Sequence, residues 1–445
     1  MAGMLGTFHL PSSTRRAILL FTFFGAVVFL TCAWHHMTPQ SSKNIQQRPR
    51  PTSASSIPPE HQDQHLQKTQ NTPSPPTETA ELTTQPEKSS VSSDPEPPFP
   101  SPNFQPGVAK PAGSNYTRVL VIARQQSEDV NWINEELPDL ETAVYVVDDP
   151  NAEFHPPRNK GHEAMVYLSY VIDHYDELPD IMIFMHAHRQ AWHNEEILDW
   201  DAVKLIQRLS SERVTREGYM NLRCKWGPGC PDWIRPREIE EDTAKREQLV
   251  IAEAWTQLFP HDEKVPEVLA QPCCAQLALS RDRVRAIPLS RFMFYRDWLL
   301  NTPLSDSISG RVWEYLWQVV FTGQQVFCPL QHVCYCDGYG LCFGGEDGMN
   351  EAFGVQEEIG NLREELKHWQ DKAQAIRDAV LNGASDEELA ELNMLDPERK
   401  RWLEEEIPKK GERLKELKER AIERGKSPQI RAEEVGREWR DGDGF

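Results

Sequence analysis

The chain has 445 residues and carries 69 acidic against 48 basic side chains, a formal net charge of −21. An acidic surplus of this size excludes a nucleic acid as partner, because holding polyphosphate takes clustered Lys and Arg. The length allows two or three ordinary domains, but a long N-terminal stretch has too few apolar residues to be one of them.

Residues 17–34 (AILLFTFFGAVVFLTCAW) form an uncharged apolar run close to the minimum for crossing a bilayer. Arg15 and Arg16 precede it directly, so residues 1–16 stay cytosolic and the rest of the chain lies on the other side. This predicts a single-pass type II signal anchor. A cleaved signal peptide is the alternative, since Thr31 and Ala33 are small residues at cleavage-like spacing, and it delivers the rest to the same side. A short transmembrane run suits thin early-secretory membranes, of the ER or Golgi. Residues 35–115, rich in Pro, Ser, Thr, Gln and Glu, read as a disordered stalk. Asn115 opens an Asn-Tyr-Thr glycosylation sequon at its end.

A globular domain is expected over 116–345. The continuous apolar run 119–123 predicts a strand buried on both faces, and 129–137 a helix. A second strand, 143–147, ends in the turn signal Asp148-Asp149-Pro150. Residues 161–175 predict a helix, with Ala164, Tyr167, Leu168, Val171, Ile172 and Tyr175 on one face. A third buried strand follows at 181–185. Alternating strands and helices point to an α/β fold with a mostly parallel central sheet flanked by helices. Further on, 203–209, 247–259, 292–300 and 312–321 read as helices and 273–279 as a strand. Residues 346–445 read as a charged helical tail of coiled-coil character, either a partner-binding arm or a solvated appendage, with composition favouring the second. Ser385 opens a capping box, Asp396-Pro397 starts another helix, and Pro408 should break or kink it.

Several residues offer chemistry. If the third strand continues, His186 and His188 share a face at a strand C-terminal end, where α/β sheets bind ligands; with His193 they offer a divalent cation site. The same imidazoles can instead be structural. Asp148 and Asp149 can hold Mg²⁺ or Mn²⁺ against a diphosphate, or simply cap turn amides. Lys160, ahead of the strong helix, can meet a phosphate, and Arg124, ending the first strand, an anion; both can equally be ordinary structural or surface groups. Glu314 lies among aromatics, where burial raises a carboxyl pKa toward that of a general base; the plain alternative pairs it with Arg311 one turn earlier. Asp149 is a second catalytic candidate, Asp148 and Lys160 substrate-binding ones.

Nine cysteines are present, and all but Cys32 lie in the globular region: Cys224, Cys230, Cys273, Cys274, Cys328, Cys334, Cys336 and Cys342. An even set in an oxidising compartment favours disulfides over zinc. Cys224-x5-Cys230 spans a tight loop that one bond can close, although connectivity is not readable from spacing.

The stretches VLVIARQQSEDVNWINE, YVVDDP, NKGHEAMVYLSYVIDHYDELPDIMIFMHAHRQAWHNE, GYMNLRCKWGPGCP, CCAQLALSRDRVRAIP, SGRVWEYLWQVVF and CYCDGYGLC occur in one order over roughly residues 117–343. Together they resemble a fungal family defined by domain of unknown function 3431. The resemblance implies an anchored secretory-pathway protein and no established activity. More loosely, the order of elements is similar to GT-A glycosyltransferases, with His186-Ala187-His188 standing where that fold usually carries Asp-x-Asp. That similarity implies a nucleotide-sugar donor and a glycan or protein acceptor. It also implies a Mn²⁺ or Mg²⁺ ion, with Zn²⁺ less favoured, and Glu314 as base. A metal-dependent hydrolase using His186 and His188, and a non-catalytic glycan-binding module, are the alternatives.

Overall fold

Val119, Leu120, Val121 and Ile122 are all but inaccessible to solvent, as an unbroken apolar run in a strand must be when both its faces are covered. They belong to β1 (Arg118–Arg124). In the computed structural model, β1 lies inside a five-stranded sheet with β2 (Glu141–Val146), β3 (Ile181–His186), β4 (Tyr219–Asn221) and β5 (Leu277–Ser280), in the order β2-β1-β3-β5-β4. The structure describes residue 102 and residues 104–444, apart from 241, 243, 244, 261–263, 393 and 394. The expected cytosolic segment, membrane anchor and nearly all of the stalk lie outside the described residues. Among the described residues no helix is long and apolar enough to cross a membrane.

β1 pairs in parallel with β2 and β3, whereas β5 runs antiparallel to both β3 and β4. Four strands therefore share a direction and β5 alone is reversed. From β1 the chain goes to β2 on one side and then to β3 on the other. The crevice between the C-terminal ends of β1 and β3 is thus a topological switch point, the place where open α/β sheets take ligands.

Side chains alternate across the sheet. Val121, Met182, Phe184, Leu277 and Leu279 pack with the helix Glu163–Asp173 and with Phe292, Trp313 and Trp317. Leu120, Ile122, Ile183, Met185 and Ala278 pack on the other face with Leu205, Ile206, Tyr335 and Met349. The order starts earlier than the stalk boundary expected at residue 115. Phe104 lies under the Arg283 guanidinium at 4.8 Å, Gly107 N–H donates to the Arg216 carbonyl at 2.8 Å, and Lys110 Nζ reaches Asp180 at 2.8 Å.

Sequence and structure differ at three other places. The strand expected over 273–279 begins only at Leu277, because Cys274 and Ala275 take positive φ values of 89° and 44°, which no strand accommodates. The single helix expected over 312–321 is two, Asp306–Glu314 and Trp317–Thr322, separated at Tyr315-Leu316. Pro408 does not break its helix, which runs from Pro397 to Gly425.

That helix lies antiparallel on Glu346–Leu381, joined by Arg399–Glu365 at 2.6 Å, Arg413–Glu351 at 2.5 Å and a Lys410–Glu358 pair. Such exposed pairs each contribute little. The hairpin is no free appendage. Cys342 N–H donates to the Ala421 carbonyl at 3.0 Å, Gln356 Nε2 to the Glu196 carbonyl at 3.2 Å, and Lys418 pairs with Asp199 at 2.9 Å.

All eight cysteines of the domain are disulfide-bonded: Cys224–Cys334, Cys230–Cys328, Cys273–Cys274 and Cys336–Cys342. Cys224 and Cys230 do not close their own loop. Each instead faces the segment that leads into the helix Gln331–Tyr339 or the helix itself, tying β4 to the far end of the domain.

Candidate active site

The C-terminal edge of the sheet gathers most of the residues singled out by sequence, in two groups. The first is an exposed corner at the ends of β1 and β2. Asp148 accepts the Gln126 N–H at 2.8 Å; Asp149 accepts Gln126 Nε2 at 3.0 Å and the Asn151 N–H at 2.9 Å. The acids therefore cap turn amides. Arg124 bonds the carbonyls of Gln125 at 3.1 Å and Gln126 at 3.0 Å. His188, beyond the end of β3, turns to Glu128 at 3.4 Å. Lys160 is elsewhere: its buried ammonium donates to the Thr302 carbonyl at 2.8 Å, which leaves it unsuited to meet a phosphate. Asn115 is exposed, as a glycosylation acceptor must be.

The second group lies at the end of β3 on the face covered by the helix Glu163–Asp173. By strand alternation His186 follows Phe184 and Met182 onto that face. Its backbone N–H donates to Gln276 Oε1 at 3.1 Å, and its Nε2 lies 3.2 Å from the Cys274 carbonyl oxygen. Bonding there requires Nε2 to carry the hydrogen, which leaves Nδ1 as acceptor. The His193 ring lies 4.6 Å from that of His186, tilted by 34°, with Trp192 against it at 4.3 Å. His193 Nδ1 is buried and has no hydrogen-bond partner. Burial, then the neighbouring His186 and Arg223, push the His193 pKa down to about 3. Burial also lowers that of His186, against the opposing pull of the Cys274 carbonyl and Glu314. Both imidazoles are neutral at neutral pH.

Glu314 ends its helix half-buried, and its Oε1 accepts the Cys274 N–H at 3.0 Å. Burial pushes its carboxyl up to about 7, and the neighbouring Glu163 carboxylate adds to the rise; the Cys274 N–H, His186 and Arg311 oppose it. Glu163 is itself raised, chiefly by burial. Arg311 does not form the ion pair with Glu314 that helical spacing suggests. It goes to the buried Glu247 at 3.0 Å, which Tyr315 Oη also bonds at 2.6 Å.

Among the described residues, the one trio that brings three potential ligand atoms within 4.8 Å of one another is Cys336, Cys342 and Glu434, and its cysteines are bonded to each other. The rings of His186 and His193 lie 4.6 Å apart while His188 turns to Glu128, so the three histidines are not a converged ligand set in this conformation. What the group offers is acid–base chemistry: a carboxyl that titrates near neutrality beside a neutral imidazole with a free lone pair.

Sequence reasoning did not single out Glu163 or Gln276 for chemistry, and it took Cys273-Cys274 only as part of a disulfide set. The adjacent cysteines immediately before an apolar strand were the one available signal.

A sequence profile described as Protein of unknown function (DUF3431) matches residues 120–337. The chain belongs to this family. The matched segment runs from β1 into the helix Gln331–Tyr339 and contains His186, Cys273-Cys274 and Glu314. The helical tail lies outside it. No curated protein and no solved structure matches the chain.

Proposed function

We propose that the domain is a glycosyltransferase-like enzyme that moves a sugar from a nucleotide donor to a hydroxyl acceptor, with Glu314 as general base. In that reaction Glu314 takes the proton of the acceptor hydroxyl and the oxygen bonds to the anomeric carbon. The bond from that carbon to the diphosphate breaks, and the nucleoside diphosphate leaves with the electron pair. The observation that carries the reading is the Glu314 carboxyl held near pH 7 at the sheet's switch-point edge, next to His186. A base with a pKa near the working pH combines the right protonation state with useful driving force. The order of elements supports a GT-A-like arrangement: first strand, second strand followed by acids, helix, then a strand ending in His186. Four disulfides and an exposed Asn115 sequon fit a luminal domain on a secretory-pathway anchor.

Titrating the full-length chain in detergent with UDP- and GDP-sugars, with and without Mn²⁺, tests this. Saturable nucleotide-sugar binding is the expected result, and its dependence on Mn²⁺ reads whether a cation joins at the histidines. Metal binding without nucleotide binding would favour a hydrolase instead, and binding of a glycan alone a non-catalytic module.

A further inference from the structure

The segment 271–276 touches Glu314, His186 and His193. Gln271 Nε2 donates to the Glu314 carbonyl at 2.7 Å, the Cys274 N–H to the Glu314 carboxylate at 3.0 Å, and the Cys274 carbonyl meets His186 Nε2 at 3.2 Å. Gln276 accepts the His186 N–H at 3.1 Å and donates to the His193 carbonyl at 3.2 Å. In its middle, Cys274 has φ +89° and Ala275 φ +44°, two consecutive L-residues in the half of conformational space that glycine favours. Such residues are strained and persist only where the surroundings over-determine them.

At Cys274 the disulfide to Cys273 provides that determination. The ring it closes runs through the ψ bond of Cys273 and the φ bond of Cys274, so the covalent bond restricts the turn of the peptide that carries the Cys274 N–H and, through φ, the direction in which the Cys274 carbonyl carbon leaves the ring; ψ of Cys274 lies outside it. We propose that the Cys273–Cys274 bond is a permanent backbone lock that aims the Cys274 N–H at Glu314 and its carbonyl at His186. Both cysteines are buried, at 1% and 3% exposure, so a reductant does not reach them in the folded protein, and the bond acts as a fixture rather than a switch. Cys273 and Cys274 are thus positioning residues. The Cys274 N–H bond holds the Glu314 carboxyl pKa down against burial, and the Cys274 carbonyl holds the His186 pKa up. Their service to catalysis rests on the transferase reading, but the lock itself does not.

The test compares two double variants of the full-length chain, Cys273→Ser/Cys274→Ser and Cys273→Ser/Cys274→Gly. Both lack the bond, and glycine alone takes φ near +89° without penalty. The readout is the rate at which diethyl pyrocarbonate modifies His186, resolved by peptide mass spectrometry and normalised to the exposed His368. The serine pair should raise the His186 rate about five-fold, the factor for losing one ordinary hydrogen bond from Nε2. The glycine pair should stay near the native rate. A serine pair at the native rate, or a glycine pair raised as far as the serine pair, overturns the lock. If the serine pair does not fold, the glycine pair decides alone: a rate near the native one supports the lock, and a rise of about five-fold overturns it. None of these outcomes depends on nucleotide-sugar binding, so a failed lock and a failed transferase reading are told apart.

Discussion

Glu314→Gln should lower sugar-transfer turnover by roughly 10²–10⁴-fold, the usual worth of a positioned general base, and leave nucleotide-sugar affinity within a few-fold. Glutamine keeps an oxygen for the Cys274 N–H, so the change removes the proton acceptor and little else. Native activity should rise with pH through about 7, where the carboxyl ionises, and that limb should vanish in the variant. Stability should move the other way. Because the folded pKa of about 7 exceeds the ordinary 4.5, the folded state binds more protons than the unfolded state between those values. The Glu314 contribution therefore turns unfavourable as pH rises through that window, by up to about 3 kcal/mol. Thermal unfolding should find Glu314→Gln more stable than the native chain at pH 8 and indistinguishable from it near pH 4. Opposite shifts in activity and stability at one residue are the mark of a functional carboxyl held in an unfavourable place.

The second large effect concerns the bond between Cys224 and Cys334. It lies six residues outside Cys230–Cys328 at each end, so with that bond intact it closes a further loop of only about a dozen residues, which stabilises by about 3 kcal/mol in the chain-entropy account. Its surroundings tie it to the site. The Cys224 N–H donates to the buried Glu195 carboxylate at 2.6 Å, and Tyr335 Oη reaches the other oxygen of Glu195 at 2.7 Å. The adjacent Arg223 donates to the Trp192 carbonyl at 2.7 Å, beside His193. Cys224→Ala/Cys334→Ala should therefore cost about 2–5 kcal/mol in denaturant unfolding and loosen the Trp192–His193 loop. A smaller cost would mean that Glu195 and its neighbours hold this junction without the covalent bond.

Much of the frame could be read from residue order because β1 and β3 carry continuous apolar runs, β2 holds a short β-branched stretch, and the helix Glu163–Asp173 has an unambiguous apolar face. The three-residue β4 could not, since Tyr219–Asn221 owes its strand conformation to pairing with β5 rather than to any local pattern. The helix Gln331–Tyr339 was hidden for a similar reason, its cysteines being placed by distant partners. At the site, β3 ends at His186, so strand alternation no longer governs the chain at His188, which turns to Glu128 instead of sharing a face with His186. Glu314 was legible as a carboxyl among aromatics. Its contact with Cys274 was not, because it depends on a positive-φ segment forty residues away that only the folded chain brings near. Lys160 shows the opposite error: its promise as a phosphate ligand rested on sequence position alone, and a carbonyl from a distant helix end takes its charge.

The central claim is that the nucleotide sugar binds at the C-terminal edge of the sheet, against His186 and Glu314. Irradiating the full-length chain with a photoreactive UDP- or GDP-sugar and locating the attachment by peptide mass spectrometry tests it directly. The account predicts labelling within 186–193, 273–276 or around Glu314, suppressed by excess unlabelled nucleotide sugar. Competable labelling confined to the opposite edge of the sheet or to the helical hairpin would contradict it.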